Sequence, residues 1–317
     1  MKKIKFIEVR SELGAGLRGS GLGVDAIKIA AINSGSRLFF KYPSVVVKDA
    51  NHLLFKDSKT INARRVDGIV DVFQRIYKTV AKEIKSKTSF PVVLAADHSN
   101  AGGTIAGIKK AFRKKRLGVI WIDAHADLHS PYTSPSGNVH GMPLSIALGV
   151  DNLECKKNEI LPLTRDYWEK LKLTGGFTQK VLPEDVVFIG VRDYEKEEEF
   201  LMNKFQMRNF TVAELRQIGV AEVVKQSIEK LKNCDIIYIS FDVDSLDPSI
   251  SRGTGTPVAN GLTEKETSDI LCGLLKNKKS CCLEIVEVNP LLDNKGNVMA
   301  ETAFRIMDNA IRVIEKR

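Results

Sequence analysis

The densest chemistry in the sequence is Asp123-Ala124-His125-Ala126-Asp127, which follows an apolar run at 117–122. In extended backbone, residues two apart project from one face, so these three side chains would converge. Two carboxylates side by side repel unless a cation or a shared proton lies between them. A second apolar run, 234–241, leads into Asp242-Val243-Asp244, again with two acids on one face. A third, 92–96, ends in Asp97-His98-Ser99. Three strand ends thus offer His98, Asp123, His125, Asp127, Asp242 and Asp244, which are four carboxylates and two imidazoles. That inventory suits two hard or borderline divalent ions sharing ligands, and does not suit a thiolate zinc site. Two such ions a few ångströms apart can hold a hydroxide nucleophile at neutral pH.

Beyond the first cluster lies a loop rich in small hydrogen-bonding side chains, from His129 through Ser134, Ser136 and Asn138 to His140 and Gly141. Hydroxyls and an amide beside a metal site suit the polar end of a small substrate. His140 is a candidate proton carrier, because its unperturbed pKa lies near neutrality. Late in the chain, Glu284 and Glu287 sit within or at the end of an apolar strand, on opposite faces, so at most one points at the site. A carboxylate at a strand end can pair with a guanidinium through two parallel hydrogen bonds.

The elements that must position these residues alternate in type. Strand-like patterns fall at 3–9, 45–48, 92–96, 117–122, 186–191, 207–210, 234–241 and 281–288. Helical patterns fall at 24–34, 62–87, 102–115, 195–204, 220–232, from 263 onward, and 299–315. Thr263 with Glu266 three residues on is a capping-box pattern. This alternation predicts an α/β fold, one doubly wound domain over 1–317 with a mainly parallel sheet covered on both faces. Ligands in such folds sit at the carboxyl ends of strands, where all six candidate ligands fall. The glycine-rich stretch 14–23 matches neither a dinucleotide fingerprint nor a P-loop, and reads as a structural or site-rim loop.

Composition narrows the class. The net charge of +9 is spread out, its densest runs being 113–116 and 276–279, each near a predicted helix end. No aromatic residues interleave with them to stack bases, which argues against nucleic acid as a partner. There is no signal-peptide core and no run of 18 apolar residues, so a cytoplasmic protein with no membrane span is expected. Five cysteines without framework spacing read as reduced thiols.

Taken in order, Asp97-His98-Ser99, Asp123-Ala124-His125-Ala126-Asp127, Ser240-Phe241-Asp242-Val243-Asp244-Ser245-Leu246-Asp247-Pro248 and Glu287-Val288-Asn289-Pro290 resemble the signature motifs of the ureohydrolase (arginase/agmatinase) family. The resemblance spans about residues 92–290. It implies a three-layer α/β fold, a binuclear manganese centre in which cobalt or iron are possible substitutes, and hydrolysis of a guanidino-type carbon. Carried over by motif, His98, Asp123, Asp127 and Asp242 would hold one manganese. His125, Asp123, Asp242 and Asp244 would hold the other. The loop from Ser134 to Gly141 is similar to the arginase version, in which it contacts the α-carboxylate and carries the shuttle histidine, His140. Thr256 matches a pocket-lining position, and Glu195 the segment that receives the α-amino group, where an aspartate is usual. Asp127 would orient the nucleophile and Glu287 would bind the guanidinium.

The implied reaction is cleavage of L-arginine to ornithine and urea by a homo-oligomer, trimer or hexamer. Agmatine, guanidinobutyrate and formiminoglutamate are the alternative substrates, and a metal-loaded inactive binding subunit is the alternative of a different class. Two departures stand out. Ala95 and Ala96 replace a usual pair of glycines before Asp97, and His129 replaces a usual asparagine of the α-carboxylate subsite.

Overall fold

The computed structural model describes residues 3–86 and 88–317. Eight strands form its sheet: β1 (Lys3–Val9), β2 (Ser44–Val47), β3 (Ser89–Ala95), β4 (Leu117–Ile122), β5 (Val186–Ile189), β6 (Arg208–Phe210), β7 (Ile236–Asp242) and β8 (Ser280–Val286). Every pairing is parallel, in the order β2-β1-β3-β8-β7-β4-β5-β6. All residues of β4 and β7 are buried, which is why both read as continuous apolar runs rather than alternating ones. Parallel neighbours need crossovers, and helices supply them.

The helices are α1 (Gly23–Asn33), α2 (Leu38–Lys41), α3 (Val66–Ser86), α4 (Ala101–Ala111), α5 (Pro143–Leu148), α6 (Pro162–Lys172), α7 (Lys196–Lys204), α8 (Val212–Ile218), α9 (Val220–Lys230), α10 (Glu264–Lys276) and α11 (Val298–Glu315). They fall into two layers. One core joins Phe6, Val92, Ile120, Ile239 and Ile285 of the sheet to Ile27, Val223, Leu271 and Ile311 of α1, α9, α10 and α11. The other joins Ile7, Val93, Trp121, Phe188 and Tyr238 to Phe73, Ile105, Ile146 and Trp168 of α3, α4, α5 and α6. The result is the expected three-layer α/β architecture with a sheet covered on both faces.

Element boundaries differ from the expectation in instructive ways. The long amphipathic helix starts at Val66, not 62, because Arg65 takes a left-handed φ of 57° just before it. Lys87, its expected last residue, lies outside the described residues. Helix α4 stops at Ala111, so the basic run 113–116 follows the helix instead of forming its last turn. Helices α6 and α8 carry no expectation at all. Among the described residues, no helix is long and apolar enough to cross a membrane. Strands β3, β8, β7 and β4 are consecutive neighbours at the centre of the sheet, so their carboxyl ends open onto one place.

Candidate metal centre and its cavity

At the end of β3, Asp97 accepts hydrogen bonds from the backbone N–H of Ser99 (2.8 Å) and of Gly14 (2.9 Å). This turns the chain into the short 3-10 helix His98–Asn100 and aims His98 across the sheet. Its ring lies flat on Trp121, with centroids 4.0 Å apart and planes 3° from parallel. Nδ1 then sits 2.9, 3.0 and 3.1 Å from Asp123 Oδ2, Asp242 Oδ2 and Asp127 Oδ2. The second imidazole, His125, places Nδ1 2.9 Å from Asp244 Oδ2 and 3.5 Å from Asp123 Oδ1. Candidate ligand atoms of His98, Asp123 and Asp127 lie within 4.8 Å of one another, as do those of Asp123, His125 and Asp244. Asp123 belongs to both groups.

The convergence does not come from an extended face, as alternation in the sequence suggests. Strand β4 ends at Ile122, and Asp127 takes a left-handed φ of 51°. Asp242 caps the 3-10 helix Val243–Ser245, its Oδ1 accepting from the Asp244 N–H at 2.8 Å. Tight turns at strand ends therefore bring the carboxylates together.

The donor set fits divalent cations on its own chemistry. His98 Nδ1, Asp123 Oδ2 and Asp127 Oδ2 are fully buried and have no aligned hydrogen-bond partner. Burial and the neighbouring Asp123 push the Asp127 carboxyl up to about 6. Burial, then Asp244 and Asp123, push Asp242 well above the carboxylate range. Burial and Asp123 raise Asp244 as well. Burial would raise Asp123 too, but its bonds with His125 and His98 outweigh it and hold it low. Buried acids crowded to the point of resisting ionisation are stabilised by a cation among them. An oxygen-rich set with two imidazoles suits manganese, iron or cobalt and lacks thiolate.

Above this floor opens a small cavity of about 130 Å³. Its floor is His98, His125, Asp127, Asp242 and Asp244, with Asp123 buried beneath. Ser134, Ser136, Asn138, His140, Thr256 and Glu287 form the walls. Glu287, just past β8, takes a left-handed φ of 66° that turns its side chain to the cavity. Its Oε1 accepts from the His98 N–H at 2.8 Å and lies 3.4 Å from His140 Nδ1. Burial acts to lower the His140 pKa, but Glu287 outweighs it, so the net direction is upward. Glu284 points the other way, into the layer behind the sheet. Thr256 donates to Asp244 Oδ2 at 3.2 Å.

His129, Glu195 and Glu198 form the rim. The resemblance gives His129 the α-carboxylate and Glu195 the α-amino group of the same substrate end, and here the two side chains meet. His129 Nε2 lies 2.8 Å from Glu195 Oε2 and 3.4 Å from Glu198 Oε2, with Nδ1 3.2 Å from Thr133 Oγ1. The His129 bond is the main reason Glu195 falls to about 2, while burial pushes Glu198 up to about 8.

Residues 2–312 match the profile of the arginase family. An arginase of Brevibacillus brevis is 36% identical, with 97% of each chain covered. The solved arginase of Bacillus caldovelox superposes with a TM-score of 0.84 at 33% identity, covering 98% of each chain. The chain belongs to the arginase family. A solved Entamoeba histolytica arginase in complex with L-ornithine gives a TM-score of 0.82 at 27% identity, covering 98% of this chain and 99% of that one.

For an arginase-family chain, the motifs leave out several residues that shape the site. Glu198 is missed, although its spacing from Glu195 is that of a capping box and both halves of the box form at the start of α7. Asp193 lies 3.7 Å from His125 Nε2, and Ser240 2.8 Å from His98 Nε2. Gly14 packs against the Asp97–Ser99 turn, and the reason it is glycine is steric. A Cβ there would meet Ser99 Oγ at 2.6 Å and Asp97 Oδ1 at 2.8 Å, so a side chain would displace the turn that carries His98.

Proposed function

We propose that this arginase-family hydrolase cleaves the guanidinium group of L-arginine to ornithine and urea, working as one ureohydrolase domain over residues 1–317 with two manganese ions. His98, Asp123, Asp127 and Asp242 would hold one ion, and His125, Asp123, Asp242 and Asp244 the other. The observation that carries the reading is the placement of one buried carboxylate, Glu287, and one histidine, His140, directly beside that donor cluster in the same cavity.

When bound, the ions would supply Lewis acidity, lowering the pKa of a water toward neutrality. The protein's own residues do the rest. Glu287 presents a carboxylate anchored by the His98 N–H, and a guanidinium can donate to it through two parallel hydrogen bonds. This fixes the reacting carbon over the floor. Asp127 has one carboxylate oxygen among the donor atoms and can orient a water with the other. His140 lies close enough to Glu287 to hand a proton to the leaving amine. At the outer end, Ser134, Ser136 and Asn138 offer neutral hydrogen-bonding groups and the His129–Glu195 pair offers both signs of charge, matching an α-carboxylate and an α-ammonium.

The test is product analysis. Protein loaded with manganese should convert arginine to equal amounts of ornithine and urea, lose this on chelation and regain it on manganese addition. Manganese-loaded protein that leaves arginine intact would overturn the reading.

A further inference from the structure

Behind the metal floor lies a buried polar chain that the proposed reaction does not use. Glu284 of β8 is completely buried in the layer between the sheet and α4. Its Oε2 accepts from the Tyr238 hydroxyl at 2.6 Å, while its Oε1 and the neighbouring Thr104 hydroxyl are buried without an aligned partner. Ser240 pairs with Glu284 across the β7–β8 ladder and shares its strand face with Tyr238, whose phenol it also touches through its hydroxyl. Ser240 Oγ in turn meets His98 Nε2 at 2.8 Å. Burial raises the Glu284 carboxyl, and the Tyr238 and Thr104 hydroxyls beside it oppose that rise. A buried carboxylate without a cation beside it is costly to keep. An apolar side chain would fill this layer more cheaply.

We propose that Glu284 and Tyr238 are positioning residues for the metal centre, fixing the direction of a buried hydrogen-bond chain that turns the Nδ1 lone pair of His98 toward a cation. A carboxylate only accepts, so the phenol must donate to it, leaving the phenol oxygen as an acceptor for Ser240. The Ser240 hydroxyl, having donated, accepts the proton of His98 Nε2. Nδ1 is then the bare nitrogen, and it is the one aimed at Asp123, Asp127 and Asp242. A serine alone donates or accepts equally well and specifies no direction. Partners behind a metal-ligating histidine set its tautomer and orientation, and losing one typically costs about ten- to a hundredfold in metal affinity. The Trp121 ring holds the His98 plane, so the chain need only fix the proton.

The inference depends on the metal-centre reading and is tested apart from turnover. Manganese affinity is measured by chelator competition, and ions per chain are counted, in wild type, Glu284→Gln, Tyr238→Phe, Ser240→Ala and the double variant Ser240→Ala/Glu284→Gln. Glu284→Gln, whose amide can donate back up the chain, should weaken one of the two ions by about tenfold or more and leave the other within about twofold. Adding it to Ser240→Ala should cost less than about a further twofold, because the chain is already cut. Tyr238→Phe removes a single oxygen and carries the test if circular dichroism shows Glu284→Gln unfolded. Wild-type affinity for both ions in the folded variants, or full additivity with Ser240→Ala, would overturn the inference. Wild type that binds no manganese would instead overturn the metal-centre reading itself.

Discussion

At the cavity floor, His98 Nδ1, Asp123 Oδ2 and Asp127 Oδ2 are buried with no aligned partner, whereas at the rim His129 has one on each ring nitrogen. Floor and rim lie in one cavity and hold similar residue types, acids around a histidine. They differ in what completes them. The floor is crowded with like charge and resolves only when cations enter. The rim is neutralised by its own ion pair, with Glu195 half exposed to water. A ligand at the floor supplies missing charge, while a ligand at the rim must compete with a bond already made. Damage to the floor should therefore be severe, and damage to the rim graded.

The largest effect is expected from Asp242→Ala. If Asp242 and Asp123 are shared between two ions, metal counting should find both depleted, and kcat/KM should fall by about 10³-fold or more, roughly 4 kcal/mol. His98→Ala should mainly deplete one ion. Two ions retained in Asp242→Ala would break the picture of a floor that is incomplete without both.

Glu287→Gln comes next. It keeps the shape and removes the charge opposed to a guanidinium in a desolvated site, where losing one partner costs about 2–5 kcal/mol. The expected loss in kcat/KM is about a hundredfold with manganese content unchanged. A variant with lost manganese and unchanged KM would move Glu287 from the wall to the floor.

At the rim, Glu195→Gln should show its effect in the pH dependence of stability. Glu195 falls from its ordinary 4.5 to about 2, so its contribution is present above about 4.5 and disappears as pH drops toward 2. His129 is raised above its ordinary 6.5, burial being outweighed by Glu195 and Glu198. Its contribution is therefore full below 6.5 and lost as pH rises through the elevated value. The pair is strongest between those limits. Because Glu195 is half exposed, the difference in Tm near pH 5.5 should be only a few degrees, about 1 kcal/mol or less. A wild-type-to-variant difference in Tm that is the same at pH 2.5 and 5.5 would show that the His129–Glu195 pair contributes nothing. Smallest of all, His129→Asn should keep arginine turnover within about threefold, since the wall hydroxyls and the Asn138 amide remain. A loss beyond tenfold would make the rim as demanding as the floor.

Much of this was legible in the sequence, for a physical reason. Strands buried on both faces must be continuously apolar, so Asp123, Asp242 and His98 stand out as abrupt polar endings at 117–122, 234–241 and 92–96. The order of strands in the sheet was not legible, because pairing in a parallel sheet is set by crossovers and packing and not by the strands' own pattern. Nor were α6 and α8. Helix α6 buries only Thr164, Trp168, Leu171 and Lys172 in a mostly polar segment, and α8 buries only Val212 and Leu215. The left-handed turns at Asp127 and Glu287 were also hidden, since Glu seldom takes positive φ and Asp, though enriched there, takes it in only a small share of its positions. The His129–Glu195 contact joins residues 66 positions apart through two loops, and local spacing carries no trace of it.

If this cavity is built for an amino acid with a guanidinium tail, the most direct measurement is kcat/KM for arginine against agmatine in manganese-loaded protein. Agmatine lacks the α-carboxylate, so it would leave the wall donors Ser134, Ser136 and Asn138 unpaired, and a site built to hydrogen-bond a group discriminates strongly against a substrate without it. The account predicts a preference for arginine of at least about a hundredfold, roughly 2.7 kcal/mol, reduced in Ser136→Ala. Agmatine turned over as well as arginine, or a Ser136→Ala variant that weakens both equally, would contradict it.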